Sequence, residues 1–388
     1  MNSRKFKVIV VYLLAFLTGI NFVVFPALGV VFTDREIFGL TQSRFGNLFI
    51  PQTGFIILSC LIAPFLVNKY GPKKVLIVGN LLMIFSTGIL WLLQFFLGGN
   101  FNLFPVLLAL VACVGLGFGL SVTTLNPVAA DLFPKSESSA ILILNFLIGV
   151  GTSTAPLMLA LAGKNKNWMY VPGIVFVMMI LAFAAFLFLH FEKDQSFELP
   201  EKIRIPGKLS IFFIAIILYG FIEGTFGGFG TILLKNKGLN SGDSTLGLSL
   251  FWGAVAINRL LFGAFAKRFN LSKFFLISPL IVGISVFLLP QISGAGFLLT
   301  LMFCIGFFMG SIFPGSIGWG TIEFPVYAVM VSGFLMAADQ IGTGVITQVI
   351  GNFSNEINLI LQILSGITVL IFLLFALLSK RSRISEAF

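Results

Sequence analysis

The chain has little of what metal and redox sites are built from. It contains one histidine, His190, and three cysteines, Cys60, Cys113 and Cys304, each inside an apolar run. Zinc, haem and iron–sulfur centres need several such ligands close together, so we expect neither a metal site nor a cofactor. The cysteine spacing is also not that of a disulfide framework.

Charge is equally scarce. Only 10% of the residues are charged and 58% are hydrophobic, whereas soluble domains average about 25% charged and roughly 45–50% apolar residues. The 47 phenylalanines exclude intrinsic disorder. The composition therefore indicates an integral membrane protein.

Signatures of ATP-driven transport and of catalysis are missing as well. Gly163-Lys164 and Gly207-Lys208 lack the preceding glycine spacing and the following Ser or Thr of a phosphate-binding loop. A membrane enzyme would need a cluster of His, Asp or Cys at one interface, and a single His disfavours one. We expect a protein that is not an enzyme.

Long apolar runs fill most of the chain. A hydrocarbon core of roughly 30 Å needs about 20 apolar residues per helix, and the runs are continuous rather than alternating, which favours helices over a barrel. We predict an all-α membrane protein with twelve transmembrane helices, the ninth of them short, over residues 8–32, 45–67, 75–97, 103–130, 139–161, 168–190, 209–234, 246–266, 274–289, 297–322, 326–350 and 357–378.

The placement of basic residues predicts an orientation. With the N-terminus inside, seventeen Lys and Arg residues lie on the inner side and six on the outer side, while Arg259 lies within a helix. This bias places both termini in the cytoplasm of a multi-pass protein of the cell (plasma or inner) membrane. It also explains the net charge of +10 without nucleic acid, which we do not expect as a partner.

A charged connection divides the chain in two. The connection contains Pro200 and Pro206 and eight charged residues, which is typical of a domain linker. We predict an N-terminal six-helix bundle over 1–191, a cytoplasmic linker over 192–208 and a C-terminal six-helix bundle over 209–388.

The two halves also repeat each other. An offset of 199 or 191 residues superposes several glycines and basic residues without gaps: Gly54 on Gly253, Lys69 on Arg268, Lys74 on Lys273, Gly115 on Gly306, Gly119 on Gly310 and Gly151-Thr152 on Gly342-Thr343. Two parallel repeats related by a pseudo-twofold axis along the membrane normal are a recurrent plan of secondary transporters, with the substrate site between the repeats.

The chain resembles the major facilitator superfamily (MFS) over nearly its whole length. The family's loop pattern after helices 2 and 8, G-x-x-x-D-R/K-x-G-x-K/R-K/R, is matched by residues 64–74 and 263–273. Pro64 replaces the opening glycine of the first copy, and Asn68 and Lys267 replace the acids, which puts the family's charge relay in doubt. The resemblance implies gating loops at Asn68, Lys69, Gly71, Lys73, Lys267 and Arg268.

A weaker resemblance is to the fucose-permease-like branch, which imports sugars with protons. It rests on the glycines at 115, 117 and 119 that lead into Asn126-Pro127, and on Tyr219-Gly220 followed by Glu223-Gly224. Members of that branch carry carboxylates in helices 1 and 4, where this chain has Asn21 and Asn126.

Three ionisable residues fall inside predicted spans, where each costs about 2.5–3.5 kcal/mol on insertion scales. Glu223, on helix 7 among several glycines, is a candidate for proton coupling, because burial disfavours the charged form of a carboxyl; it is equally compatible with a fixed structural hydrogen bond. Arg259 and Asp339 form a candidate charge pair, and the alternative is that Arg259 binds an anionic substrate. Asp131 and Glu323, at inner helix ends, are either gating residues or solvated loop residues.

Neutral polar residues in the spans are either interhelical hydrogen bonds or the lining of a polar cavity. With Arg259, the candidates for substrate binding are Asn21, Gln52, Asn126, Asn145, Trp252, Asn258, Trp319, Gln340 and Thr343. The leading hypothesis is proton-coupled symport of a small polar solute, a sugar in the first place, by a protein that acts as a monomer through alternating access. Export of amphipathic drugs or lipids, and organic-anion transport through Arg259, remain as alternatives.

Overall fold

The computed structural model describes residues 4–97, 102–134, 137–162, 167–190, 207–265, 271–324 and 328–379. Throughout these ranges the regular structure is helical, without a strand. The helices are α1 (Arg4–Ala27), α2 (Gly29–Thr33), α3 (Gln42–Asn47), α4 (Phe49–Tyr70), α5 (Pro72–Leu92), α6 (Phe104–Leu132), α7 (Glu137–Ala162), α8 (Tyr170–Leu187), α9 (Gly207–Glu223), α10 (Phe229–Asn236), α11 (Ser241–Phe265), α12 (Leu271–Leu288), α13 (Ala295–Met309), α14 (Ile312–Glu323), α15 (Ala328–Asn352) and α16 (Ile357–Ser379).

Ten helical segments in the described ranges are long and apolar enough to cross a membrane. Of the two other predicted spans, 274–289 corresponds to the shorter apolar helix Lys273–Leu288, and 326–350 corresponds to α15. The predicted linker falls almost wholly on residues 191–206, which lie outside the described residues. Its last two residues, Gly207 and Lys208, belong to the first turn of α9.

The helix ends define two faces of the bundle, which we call the near end and the far end. At the near end, Arg4 donates from Nε and a terminal guanidinium nitrogen to the carbonyl of Leu132 at 3.0 and 2.6 Å. Lys73 Nζ there donates to the carbonyl of Leu187 at 2.7 Å. Basic side chains thus bind the C-terminal carbonyls of α6 and α8, which suits the negative ends of helix dipoles.

At the far end the two halves of the chain meet directly. Gln348 Nε2 donates to the carbonyl of Gly46 at 2.9 Å, and Ser43 Oγ donates to Asn352 Oδ1 at 2.6 Å. The ring of Phe45 packs edge-on against that of Phe229, with 5.1 Å between centroids. These contacts join α3 of the N-terminal half to α10 and α15 of the C-terminal half and close the far end.

Glycines let the helices approach one another closely, and the same approach occurs in both halves. A methyl group on Gly115 would overlap the carbonyl of Gln52, and one on Gly306 would overlap that of Phe251, the residue 199 positions after Gln52. Other matched pairs of glycine and carbonyl are Gly119 with Ile56 and Gly310 with Val255, then Gly151 with Phe16 and Gly342 with Ile217. The repeat in the sequence is therefore also a repeat of helix contacts.

The outside of the bundle is apolar. Large hydrophobic side chains stand exposed on several helices, among them Phe65, Phe85, Leu181 and Phe188. Soluble proteins rarely expose so much contiguous apolar surface, whereas a helix in a bilayer gains from it. The interior, in turn, contains buried polar side chains, and some of these line a central cavity.

Candidate functional site

A small cavity lies where the two halves meet. Its volume is about 30 Å³, which is room for one or two water molecules, so the site is contracted in this conformation. Its lining comes from α1, α4, the α9–α10 segment, α11 and α15: Phe22, Val23, Pro26, Phe49, Gln52, Thr53, Ile56, Glu223, Gly224, Gly227, Gly228, Trp252, Gln340 and Thr343.

The lining follows the internal repeat. An offset of 201 residues relates the first helices of the halves, as the matched contacts of Gly19 and Gly220 indicate, and 199 relates α4 to α11. Four pairs of equivalent positions supply lining residues: Phe22 and Glu223, Val23 and Gly224, Pro26 and Gly227, Thr53 and Trp252. The cavity therefore lies between equivalent surfaces that carry different chemistry, with the charged and indole side chains on the C-terminal side.

Two residues of the lining each carry an unpaired polar atom. Gln52 is only 3% exposed and Trp252 only 5%, yet among the described residues neither Gln52 Oε1 nor Trp252 Nε1 has a hydrogen-bond partner. Buried polar groups normally have one, because leaving them unpaired costs free energy. An unpaired acceptor from the N-terminal half and an unpaired donor from the C-terminal half thus belong to residues that line the same cavity.

The indole of Trp252 is held by aromatic and backbone contacts. It packs edge-on against Phe22 at 6.4 Å and against Phe251 at 5.1 Å between centroids. Gly227 lies against its six-membered ring, where a methyl group would come within 2.7 Å of Cζ2. Phe22 in turn stacks on Phe118 at 4.3 Å. The ring position is therefore fixed on three sides.

Glu223 lies at the last position of α9, where the helix widens into a π-helical turn over Gly224–Gly228. Its Oε2 accepts a hydrogen bond from the hydroxyl of Tyr219, one turn earlier, at 2.6 Å. That length is typical of a hydroxyl that donates to an ionised carboxylate. The π turn, of a kind frequent at functional sites, also brings Gly224 and Gly227 to the cavity.

Arg259 and Asp339 do not form the expected direct pair in this conformation. Among the described residues, no ion pair within 4.0 Å joins them. Arg259 Nε instead donates to the carbonyl of Gly310 at 3.2 Å. Asp339 accepts from Gln340 Nε2 at 3.1 Å.

The charged groups are nevertheless one electrostatic cluster. Glu223 interacts electrostatically with Arg259, and Asp339 interacts with both. Asp339 is buried, at 4% exposure, and α15 brings it against α9, where Gly220 packs on its backbone carbonyl. One buried carboxyl, Asp339, thus lies beside the half-buried carboxyl of Glu223 and the half-buried guanidinium of Arg259.

Four predicted substrate residues line the cavity together with Glu223: Gln52, Trp252, Gln340 and Thr343. The structure places the others elsewhere. Asn21 is fully buried, with Nδ2 at 3.4 Å from the carbonyl of Met83. Asn145 donates to Asn126 at 2.9 Å, which links α7 to α6. Asn258 is 2% exposed and packs beside Gly310.

Trp319 is part of an aromatic core rather than of the cavity lining. It is fully buried and contacts the rings of Phe212, Phe275 and Phe375, with centroids 4.9, 6.1 and 6.1 Å away. Sequence reasoning failed here because a Trp in an apolar span carries the same pattern whether it faces the core or a cavity.

The predicted gating residues lie at the near end as far as they are described. Asn68 and Lys69 end α4, and Gly71 follows with φ 83°, a conformation that favours glycine. Lys267 and Arg268 lie outside the described residues. Asp131 is exposed near the end of α6. Glu323 forms an ion pair with Lys208 at 2.8 Å, which links the end of α14 to the start of α9.

Several site residues were missed in the sequence, and three of them matter most for the chemistry. Phe22 and Thr53 line the cavity, and Tyr219 is the hydrogen-bond donor to Glu223. A signal existed for each. Tyr219 lies four residues before Glu223, so both share one helix face, while Phe22 and Thr53 are the repeat equivalents of Glu223 and Trp252.

Several known proteins are similar to this chain in sequence or fold. The chain is 24% identical over 330 residues to the glucose/mannose transporter GlcP of Bacillus subtilis (strain 168), which covers 81% of this chain and 80% of that protein. The inward-open xylose transporter XylE from E. coli shares the fold, with a TM-score of 0.78, 14% identity and 96% of each chain covered. The E. coli fucose:proton symporter FucP (N162A) does so with a TM-score of 0.64, 17% identity and coverage of 97% of this chain and 99% of that one.

The family assignment rests on a match that spans most of the chain. The model of the Major Facilitator Superfamily matches residues 11–347, a range that includes the cavity, the glycine contacts of both halves and the near-end loops. The chain is therefore a multi-pass membrane transporter rather than an enzyme, and it belongs to the Major Facilitator Superfamily.

Proposed function

We propose that this transporter carries a small polar solute of the sugar class into the cell together with protons. The observation that supports this most is the cavity with an unpartnered acceptor at Gln52, an unpartnered donor at Trp252 and the carboxyl of Glu223 in one wall. Hydroxyl groups of a sugar both donate and accept, and an indole ring offers its face to the C–H surface of a sugar. GlcP, XylE and FucP, which transport glucose and mannose, xylose, and fucose, agree with this substrate class.

The proposal includes the architecture expected for alternating access. Twelve spans form two six-helix bundles, residues 1–191 and 209–388, joined by a linker over 192–208, and the bundles rock about the central cavity in a monomer. With both termini in the cytoplasm of a cell-membrane protein, the near end faces the cytoplasm. The closed far end then makes the present conformation one that is sealed from the outside.

Glu223 is the proposed coupling residue. It lines the cavity, it lies within a span, and it belongs to the cluster with Arg259, so a change in its protonation acts directly on both the substrate site and the charge balance. The near-end residues of α4 and α5, Asn68, Lys69, Gly71 and Lys73, are proposed to control opening on the cytoplasmic side.

Transport into proteoliposomes tests the coupling. We expect Glu223→Gln to abolish accumulation driven by a pH gradient while exchange of substrate across the membrane continues. Glu356→Gln, which removes an exposed carboxyl at the far end, is the matched control and should accumulate substrate normally. Unchanged gradient-driven accumulation by Glu223→Gln would show that its carboxyl is structural.

Export of an amphipathic compound is the second candidate function. It is favoured by the apolar part of the wall, which includes Phe22, Val23, Phe49 and Ile56. A thermal-shift screen of sugars, carboxylates and amphipathic drugs on the purified protein separates the candidates. Stabilisation by sugars alone supports the leading proposal, and stabilisation by amphipaths alone replaces it. Stabilisation by carboxylates would favour anion transport through Arg259.

A further inference from the structure

The charged cluster beside the cavity contains one cation and two carboxyl groups, and Asp339 is its buried member. Arg259 is the cation, and Glu223 and Asp339 are the carboxyls. If both carboxyls were ionised, the cluster would carry a net negative charge in a region of low dielectric, where uncompensated charge is expensive. One bound proton makes the cluster neutral.

Hydrogen bonding distinguishes the two carboxyls. Glu223 accepts a short bond of 2.6 Å from Tyr219, in the range expected for an ionised acceptor. Asp339 accepts one bond of 3.1 Å from the amide of Gln340, and its Oδ1 is buried without a partner among the described residues. A buried carboxylate oxygen without a hydrogen-bond partner costs more free energy when the group is ionised than when it is protonated, because the charged form loses more hydration.

We propose that Asp339 is a second proton-binding carboxyl of this transporter, which holds the proton of the cluster while Glu223 is ionised. The inference rests on the proposed proton coupling and deepens it. When a proton from the cavity forms an O–H bond on Glu223, the O–H bond of Asp339 breaks and its proton passes to a water molecule, which becomes hydronium, so the cluster keeps one proton. Asp339 is thus the outlet of a two-carboxyl relay rather than the fixed partner of Arg259.

Other ionisable groups near α15 are accounted for. The groups that act on Asp339 are Glu223 and Arg259, and Tyr219 joins them through its bond to Glu223. The remaining ionisable groups on the described parts of the helices packed against α15 are Arg44 on α3, Cys60, Lys69 and Tyr70 on α4, Lys208 on α9, Glu323 on α14, and Glu356 in the short helix Ser354–Glu356 that follows α15. Among these, Arg44 lies over the ring of Phe104, and Lys208 and Glu323 pair with each other.

Infrared spectroscopy of the full-length protein, purified without substrate, tests the proposal at neutral pH. We expect a carbonyl stretching band of a protonated carboxylic acid, shifted in deuterium oxide. The band should be lost in Asp339→Asn and retained in Asp243→Asn, a control acid at the far end that accepts from Asn240. Isotope labelling of the aspartate carboxyl carbon should shift the band in the unmutated protein, which covers the case that Asp339→Asn fails to fold.

The outcomes separate this inference from the proposed function. Absence of the band in the unmutated protein, or a band that aspartate labelling leaves in place, overturns the role of Asp339. Because the measurement needs neither substrate nor a gradient, it stands whatever the transport assay of Glu223→Gln shows. If the aspartate band is present but Glu223→Gln still accumulates substrate, Asp339 binds a proton and the coupling role of Glu223 is wrong.

Discussion

The hydroxyl of Tyr219 donates to Oε2 of Glu223 at 2.6 Å, from one turn earlier on the same helix. The pair stands at the point where α9 gives way to the π turn, with the cavity on one side and Arg259 within electrostatic range. This bond fixes the carboxyl of Glu223 at the cavity wall. Both of its partners belong to the C-terminal half of the chain.

Removal of the Tyr219 hydroxyl should weaken coupling. A hydrogen bond to a charged group contributes about 1.5–3 kcal/mol, which corresponds to roughly a tenfold to hundredfold change in an equilibrium. We expect Tyr219→Phe to lower gradient-driven uptake by at least about tenfold. Proteoliposome uptake measures the effect. Tyr12→Phe, which loses a 3.1 Å bond to the carbonyl of Ala140 at the near end, is the matched control, and an equal loss in both variants would contradict a specific role.

Gly227 should set the position of the indole in the cavity. In Gly227→Ala the new methyl group would lie 2.7 Å from Cζ2 of Trp252, so the ring must move. We expect a several-fold weaker substrate affinity, measured by ligand-induced thermal stabilisation, with little change in the stability of the empty protein. Gly54→Ala is the control, because a methyl group there meets nothing within 4 Å. Unchanged affinity in Gly227→Ala would mean that the indole does not contact substrate.

A crosslink at the far end should arrest transport. Ser43 and Asn352 are hydrogen-bonded at 2.6 Å across the two halves, so cysteines at both positions in a background without Cys60, Cys113 and Cys304 should form a disulfide. Because alternating access requires this end to open, we expect oxidation to stop uptake and a reductant to restore it. Each single cysteine variant serves as control. Normal uptake by the oxidised double variant would show that this contact never separates.

Two tryptophans in the C-terminal half should behave differently. Trp319→Ala empties a fully buried aromatic cluster, and loss of a buried Trp costs about 3–5 kcal/mol of stability. We therefore expect a large fall in the melting temperature of this variant. Trp252→Ala should instead abolish ligand-induced stabilisation with a smaller change in melting temperature. A large fall in melting temperature for Trp252→Ala, together with a loss of ligand-induced stabilisation for Trp319→Ala, would contradict both assignments.

Much of the fold could be predicted because membrane spans are recognisable in a sequence by their length and apolar composition. The helix contacts that recur in both halves could also be predicted from the sequence, since glycines such as Gly115 and Gly306 lie where a helix packs against a neighbouring backbone carbonyl. Not all of the spans are equally clear. The helix Lys273–Leu288 is shorter than the ten that meet the length for a crossing, and sequence alone does not say how it is accommodated.

Prediction of the site was less complete, for a physical reason. A polar residue in an apolar run must be satisfied, but the run does not show whether a carbonyl, another side chain or a substrate does so. Asn126 is satisfied by contact with Asn145, whereas Gln52 Oε1 is left without a partner among the described residues. The direct pair of Arg259 and Asp339 is likewise absent from this conformation among the described contacts, since the guanidinium donates to the carbonyl of Gly310 instead.

The wide turn at Gly224–Gly228 has a mechanical consequence. A π turn contains one residue more than the α-helical turn it replaces, so moving that extra residue along the chain changes which peptide groups bond without breaking the helix. We expect a shift of the π turn by one residue to rotate Phe229 and the residues beyond it about the helix axis relative to Glu223. Because three of the five residues of this turn, Gly224, Gly227 and Gly228, carry no side chain, we expect only Thr225 and Phe226 to resist such a shift against the neighbouring helices.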